Sequence, residues 1–340
     1  MSEPVRLSVI IPFHNAERTL QRCLESVKQV ISDDMEVLLI DDGSSDASPA
    51  TAAQYSFRLI RMPRRSGPAA ARNRGAHEAR GELLLFIDAD VVLHDDTIDQ
   101  ILETYQRRLD IVGVSAIYSD KPLLPGLFQE FKTLEETYKY SAYRSQAYSG
   151  FDAHCASIKR DIFLELGGFN SSYTGADTED LEFGHVLAKK YQNCINPAAV
   201  VDHYYASFWR GFWNYCRRSF YWAHVFLDRP IFDEAVTTRS NGISVLIACG
   251  STAALFLAPW YTPFLWAAVV LAMTFVCWNA RFVWLVVKKT RYRAIWLVPV
   301  FLLFMFSLQF AVGVGAFCGL IYATKRLLMR FSGTPRLEKK

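Results

Sequence analysis

Residues 295–323 run for 29 positions without a charged side chain. A helix needs about 20 apolar residues to cross a bilayer, and no soluble core requires such a run. A membrane-embedded C-terminal region is therefore expected. Two weaker runs precede it: 243–258 is short, and 264–287 is interrupted by Asn279 and Arg281. Between Asn241 and Thr324 there is no Asp or Glu, and the bases are Arg281, Lys288, Lys289, Arg291 and Arg293. These bases flank apolar runs, where they meet anionic headgroups. Residues 259–263 read as an outside turn and 288–293 as cytoplasmic by the positive-inside rule. A third crossing puts Lys325, Arg326 and Arg330 outside, against that rule, so both two crossings and three stay open.

Charge divides the chain in the same place. Residues 241–340 hold 11 of the 37 Lys and Arg and one of the 34 acids, Glu338. That leaves 26 bases and 33 acids, a net −7, on residues 1–240. An acidic soluble part excludes a nucleic-acid partner on charge grounds. The seven cysteines lie far apart with no CxxC or zinc spacing, which predicts reduced residues of core or membrane. The N-terminus runs directly into a strand-like segment, so no signal peptide is expected.

Residues 7–12 (LSVIIP) are a continuous apolar, β-branched run, the pattern of a buried parallel strand. Asn15 is placed to cap the next helix, whose apolar face is Leu20, Cys23, Leu24, Val27 and Ile31. Residues 36–40 (EVLLI) form a second strand ending in Asp41-Asp42-Gly43-Ser44. A third strand is expected at 57–62, a helix entered through Pro68 at 68–79, and a fourth strand at 83–87 (LLLFI) ending in Asp88-Ala89-Asp90. Strand–helix alternation implies a parallel α/β sheet with right-handed crossovers. Such sheets bind ligands at the carboxyl ends of their strands, so both acidic clusters should face one crevice. Residues 123–148 read as mixed helix and loop, Gly167-Gly168-Phe169 as a turn, and Thr178 as the cap of a helix over 181–191.

From Phe208 the pattern changes. Trp209, Phe212, Trp213, Cys216 and Phe220 share one helical face; Arg210, Asn214, Arg217, Arg218 and Tyr221 make much of the other. A helix lying in a membrane interface fits this, as does one packed on the sheet.

Five segments carry the chemistry: SVIIPFHN (8–15), DDGSSD (41–46), PAAARNRG (68–75), DAD (88–90) and TED (178–180). A lone DxD is most often a solvated loop; the set, in this order and at strand ends, is specific. It resembles the inverting GT-A glycosyltransferases of family 2 over about residues 7–218. The resemblance implies a nucleotide-diphospho-sugar transferase domain with a Rossmann-like mixed sheet, followed here by transmembrane helices. A diphosphate leaving group gathers negative charge as the glycosidic bond breaks, and Mg²⁺ or Mn²⁺ on hard oxygen ligands stabilises it. The resemblance gives Asp90 to the metal and Asp88 to the ribose or donor sugar, with Asp88 also a candidate ligand. Some relatives use a histidine near His203 as a further ligand. Asp41 and Asp42 take the nucleoside position, either acid suiting a base imide or ribose hydroxyl, and the backbone near Pro12 and Phe13 closes the base pocket. Arg72 takes a position that faces the nucleotide, and Arg74 reads as a surface residue.

An alcohol acceptor must lose its proton as it attacks, and a carboxylate in reach supplies the base. The resemblance assigns this to Asp180, with Glu179 its neighbour; Gly168 shapes the acceptor side and His154 is a further acceptor-side candidate. Processive polysaccharide synthases add QxxRW; here the region reads Tyr215-Cys216-Arg217-Arg218-Ser219, which argues against a polymerase.

The organisation expected is a catalytic domain at 1–205, an amphipathic interfacial connector at 206–240, membrane helices at 241–325 and a basic tail at 326–340. The activity expected is metal-dependent sugar transfer from a nucleotide sugar, UDP favoured, to a hydroxyl of a membrane-associated, lipid-linked acceptor. The setting is envelope glycan or glycolipid synthesis at the inner face of the plasma membrane, as a multi-pass protein among membrane lipids. Two rivals remain at this point. One is a polyprenyl-phosphate sugar synthase, whose anionic acceptor needs no base. The other is an inactive membrane scaffold or sugar-nucleotide sensor.

Overall fold

The structure is a computed structural model that describes residues 5–141, 148–173, 175, 178–228, 239–290 and 294–331. The chain divides into two compact units at Tyr205/Ala206.

The first unit runs β1 (Leu7–Phe13), α1 (Leu20–Val30), β2 (Met35–Asp41), α2 (Ser48–Ala52), β3 (Arg58–Arg61), α3 (Pro68–Glu78), β4 (Leu83–Ile87), β5 (Val91–Leu93) and α4 (Thr97–Arg107). It continues with β6 (Ile111–Tyr118), α5 (Leu127–Tyr140), β7 (Cys155–Lys159), α6 (Arg160–Glu165), α7 (Glu179–Leu187) and β8 (Gln192–His203). The eight strands form one sheet in the order β3-β2-β1-β4-β7-β6-β8-β5. The first four in that order are parallel, as strand–helix alternation requires. β7 then pairs antiparallel with both β4 and β6, so the sheet is mixed.

Strand period decides the two faces of the core. Leu7, Val9, Ile11 and Phe13 of β1 pack with Leu20, Cys23, Leu24 and Val27 of α1, whereas Ile10 packs with Ala69, Ala71 and Ala76 of α3 and with Phe86. Each large side chain so buried contributes about 1.5–3 kcal/mol. Two sequence expectations fail locally. Asn15 caps no helix: α1 starts at Leu20, and Asn15, at φ 50°, accepts from Ser45 N at 2.8 Å while its own N–H donates to Ser44 Oγ at 3.1 Å. It stitches the end of β1 to the acidic loop instead. Thr178 holds the N-cap position of α7, with Glu179 and Asp180 in the first turn, but its side chain makes no cap hydrogen bond and the helix ends at Leu187 rather than Tyr191.

The second unit comprises α8 (Phe208–Asp228), α9 (Arg239–Leu257), α10 (Pro263–Trp278), α11 (Ala280–Thr290) and α12 (Ala294–Phe331). α9 and residues Trp296–Lys325 of α12 are long and apolar enough to cross a membrane; α10 and α11 make a third candidate if their 59° bend is a broken span. The break falls at Asn279, whose Nδ2 donates to Ser244 Oγ and to the Phe275 carbonyl. Of the expected basic tail, 326–340, residues 326–331 continue α12, and 332–340, like residues 142–147 and 229–238, lie outside the described residues.

α8 packs within its own unit. α8 lies along α12, with Phe208 5.3 Å from Phe304 and Phe220 5.7 Å from Tyr322, ring centre to ring centre. A Cβ on Gly315 would come within 2.0 Å of the Cys216 carbonyl oxygen, and one on Gly319 within 2.5 Å of that of Phe220. Small residues therefore choose the inward face. Trp209 and Trp213 are left exposed, as are Arg210, Asn214, Arg217 and Arg218. The seven cysteines are unpaired.

Candidate active site

β2 and β4 flank β1, so their carboxyl ends stand two strand spacings apart, about 10 Å. The first end carries Asp41 and Asp42. Asp41 is buried, and its Oδ1 accepts from Ser44 N at 2.8 Å. Asp42 is committed to the fold: its two oxygens accept from Ser66 N at 2.6 Å and Gly67 N at 2.8 Å, fastening the loop that enters α3. Among the described residues no donor reaches Asp41 Oδ2, so Asp41 is the acid with an oxygen to offer a nucleoside. Pro12 and Phe13 are buried alongside, in register with Ile40 and Asp41.

The second end carries Asp88 and Asp90 in a tight turn, with Val91 N donating to the Asp88 carbonyl at 3.0 Å and Asp88 N to the His154 carbonyl at 2.9 Å. Antiparallel pairing of β5 with β8 sets Val91 opposite His203. That register brings His203 Nε2 to 3.5 Å from Asp90 Oδ2. Tyr204 N then donates to the Asp90 carbonyl, and Arg22 of α1 donates to the Tyr204 hydroxyl at 3.1 Å. Burial disfavours the His203 imidazolium, but Asp90 outweighs it and lifts His203 above its ordinary value. Burial opposes the Asp90 carboxylate too, and His203 in turn holds it below the ordinary aspartate range.

Arg72 is 4% exposed. Its Nη2 donates to Asp88 Oδ1 at 2.6 Å and its Nη1 to Glu179 Oε1 at 3.0 Å. Glu179 is 3% exposed. Burial and Asp90 push the Asp88 carboxyl up, against the lowering effect of Arg72. Asp180 follows in the first turn of α7, half-buried, its Oδ1 accepting from Leu181 N at 2.8 Å. Arg74 is exposed and pairs with Glu78 one turn on.

His154 is buried and stacks on Tyr118, ring centres 4.1 Å apart; its Nε2 has no partner among the described residues. Burial, then the nearby His203, push it down to about 3, so it stays a neutral imidazole. Gly168 sits at φ 69° beside Asn73, which donates to the Phe169 carbonyl at 2.7 Å and accepts from Phe169 N at 2.9 Å.

A divalent cation fits at Asp90 and His203, a carboxylate and an imidazole facing one another. Among the described residues no three acids, histidines or cysteines converge, so phosphate oxygens and water would complete the shell, as Mg²⁺ and Mn²⁺ accept. Asp88 is a weaker ligand because Arg72 claims its Oδ1.

Sequence reasoning missed Tyr118, which stacks on His154 and lies 5.0 Å from the His203 ring. It also missed Asn73, although the asparagine stands inside the PAAARNRG segment. A buried charge network on α5 had no signal: Lys132 pairs with Glu135 and, at 2.9 Å, with Glu136, which Lys139 also reaches at 2.9 Å.

The family profile described as Glycosyl transferase family 2 matches residues 8–167. The EpsH protein of Bacillus subtilis (strain 168) is 35% identical over 115 residues, covering 32% of this chain and 33% of EpsH. An uncharacterized glycosyltransferase of Haemophilus influenzae is 26% identical over 187 residues, covering 51% of this chain and 60% of its own. Both matches span less than two thirds of the relative's length. A mannosyltransferase from Pyrobaculum calidifontis, solved with GDP-Man and Mn²⁺, superposes with a TM-score of 0.58 at 17% identity, covering 94% of this chain and 87% of that one. Its likeness is one of fold. Residues 8–167 of this chain are a Glycosyl transferase family 2 domain, in a chain whose C-terminal helices are apolar enough to span a membrane.

Proposed function

We propose that this chain is an inverting glycosyltransferase. It takes a sugar from a nucleotide-diphosphate sugar, UDP favoured, and passes it to a hydroxyl of a membrane-associated, lipid-linked acceptor at the inner face of the membrane. One observation carries the reading: Arg72 joins the DAD turn to the TED helix, so a donor-side acid and a base candidate belong to one connected site. The Mn²⁺ and GDP-Man of the Pyrobaculum structure support a cation and a nucleotide sugar as ligands of such a fold.

Asp41, with Pro12 and Phe13, holds the nucleoside; Asp88 binds the ribose or donor sugar. Asp90 and His203 would hold a divalent cation, which when bound offsets charge on the departing diphosphate. Asp88, Asp90, Glu179 and Asp180 outnumber the nearby Arg72 and His203, so the site alone repels a diphosphate and needs a cation to receive one. Asp180 takes the proton of the acceptor hydroxyl as it attacks opposite the diphosphate, inverting the anomeric centre. The apolar α9 and α12 support a membrane-held enzyme, and a lipid-linked acceptor explains why it is held there.

The test is a panel of radiolabelled UDP- and GDP-sugars incubated with the purified chain, Mn²⁺ and membrane lipid extract. Label should enter the organic phase from one of them. Absence of both label transfer and nucleotide release across the panel would favour an inactive scaffold or sensor.

A further inference from the structure

A single guanidinium serves two motifs that are 91 positions apart in sequence, Asp88 and Glu179. Arg72 is buried, and its Nε finds no partner among the described residues, so its polar contacts are with these two carboxylates. The Phe169 ring, 5.6 Å away, offers its face to the same guanidinium. Glu179 is itself buried and adjoins Asp180 in the first turn of α7.

One positive charge is divided between two acids. The more of it Glu179 draws, the more negative Asp88 remains, and the better the DAD turn attracts a cation. If Glu179 loses its charge, Arg72 neutralises Asp88 alone. A ligand that engages Asp88 displaces part of the Arg72 interaction, and Glu179 is the acid ready to accept it. The guanidinium fork suits this division because its two ends are rigidly linked.

We propose that Glu179 is a positioning residue that sets the cation affinity of the DAD turn through Arg72, so that donor-site occupancy and the placement of the Asp180 helix are coupled. This rests on the transferase reading, in which Asp88 and Asp90 meet the donor and its cation. Coupling of this kind is reciprocal, so it can be read from binding alone.

The experiment is Mn²⁺ binding to the full chain in detergent, by the electron paramagnetic resonance of free Mn²⁺, with UDP or GDP present. Glu179→Gln should weaken Mn²⁺ binding by about 3- to 10-fold, within the usual range of couplings. In an Arg72→Gln background, the same substitution should change it by less than about 2-fold. Where a glutamine variant does not fold, Glu179→Asp, which withdraws the carboxylate, and Arg72→Lys, which lacks the fork, replace them with the same directions. Equal effects in both backgrounds, or none in the parent, would overturn the proposal while leaving the transferase reading intact. A parent chain that binds no Mn²⁺ with either nucleotide would overturn both.

Discussion

Arg72 Nη1 lies 3.0 Å from Glu179 Oε1, a buried ion pair between α3 and α7. Removing one partner of such a pair leaves the other charge stranded, at a cost of about 3–5 kcal/mol. Arg72→Gln should therefore lower the unfolding temperature markedly. Arg74→Gln, on the exposed side of the same helix, should cost less than about 0.5 kcal/mol. Thermal unfolding of the two variants side by side checks this.

The Gly168 turn depends on Asn73. An alanine at 168 would sit at φ 69° with its Cβ 2.6 Å from Asn73 Oδ1. Backbone strain of this type costs about 1–3 kcal/mol. Gly168→Ala and Asn73→Ala should each destabilise, and the double variant should lose less than the sum by at least about 0.5 kcal/mol, because the collision disappears with the asparagine. Strict additivity in denaturant unfolding would contradict the contact.

Much of this architecture was legible because it is local. β1 and β4 announce themselves as short apolar runs, and the face of α1 by its spacing. The pairing of β5 with β8 was not legible. β8 contains Asn196-Pro197, and its register against β6 shifts between Ser115 and Ile117, so the strand reads as a broken loop. His203 reaches Asp90 only through that pairing. The Arg72 bridge is hidden for a related reason: a motif shows which residue types are present, not which carboxylates one guanidinium will find. The packing of α8 on α12 was not legible either, because the sequence does not show that the Cys216 and Phe220 carbonyls meet Gly315 and Gly319.

Glu36 offers a test of the fold in acid. Its carboxylate accepts from Ser8 Oγ and Arg80 N, both at 2.6 Å, and from Arg80 Nε at 3.0 Å, tying β1 and β2 to the turn before β4. Burial pushes its pKa up, but these hydrogen bonds outweigh it and leave the group below the ordinary glutamate value. A lowered folded value means stability that is complete above the unfolded pKa, about 4.3, and is lost as pH falls through the folded one. Glu36→Gln should cost about 1 kcal/mol near neutrality and make stability fall less steeply below pH 4.3. Parallel pH curves for parent and variant would contradict this.

Asp180→Asn keeps size and removes basicity. Sugar transfer should fall by at least about 100-fold, the scale of a general base, while nucleotide binding with Mn²⁺ changes little. A collapse of nucleotide binding would make Asp180 a binding residue instead.

The most direct measurement is calorimetric titration of UDP, and in parallel GDP, into the purified full chain, with Mn²⁺ and then with excess chelator, for the parent and Asp90→Ala. The account predicts nucleotide binding that requires Mn²⁺ in the parent, with affinity lowered by about 100-fold on chelation and to the same extent in Asp90→Ala. Binding that survives chelation unchanged, or that Asp90→Ala leaves intact, would contradict it.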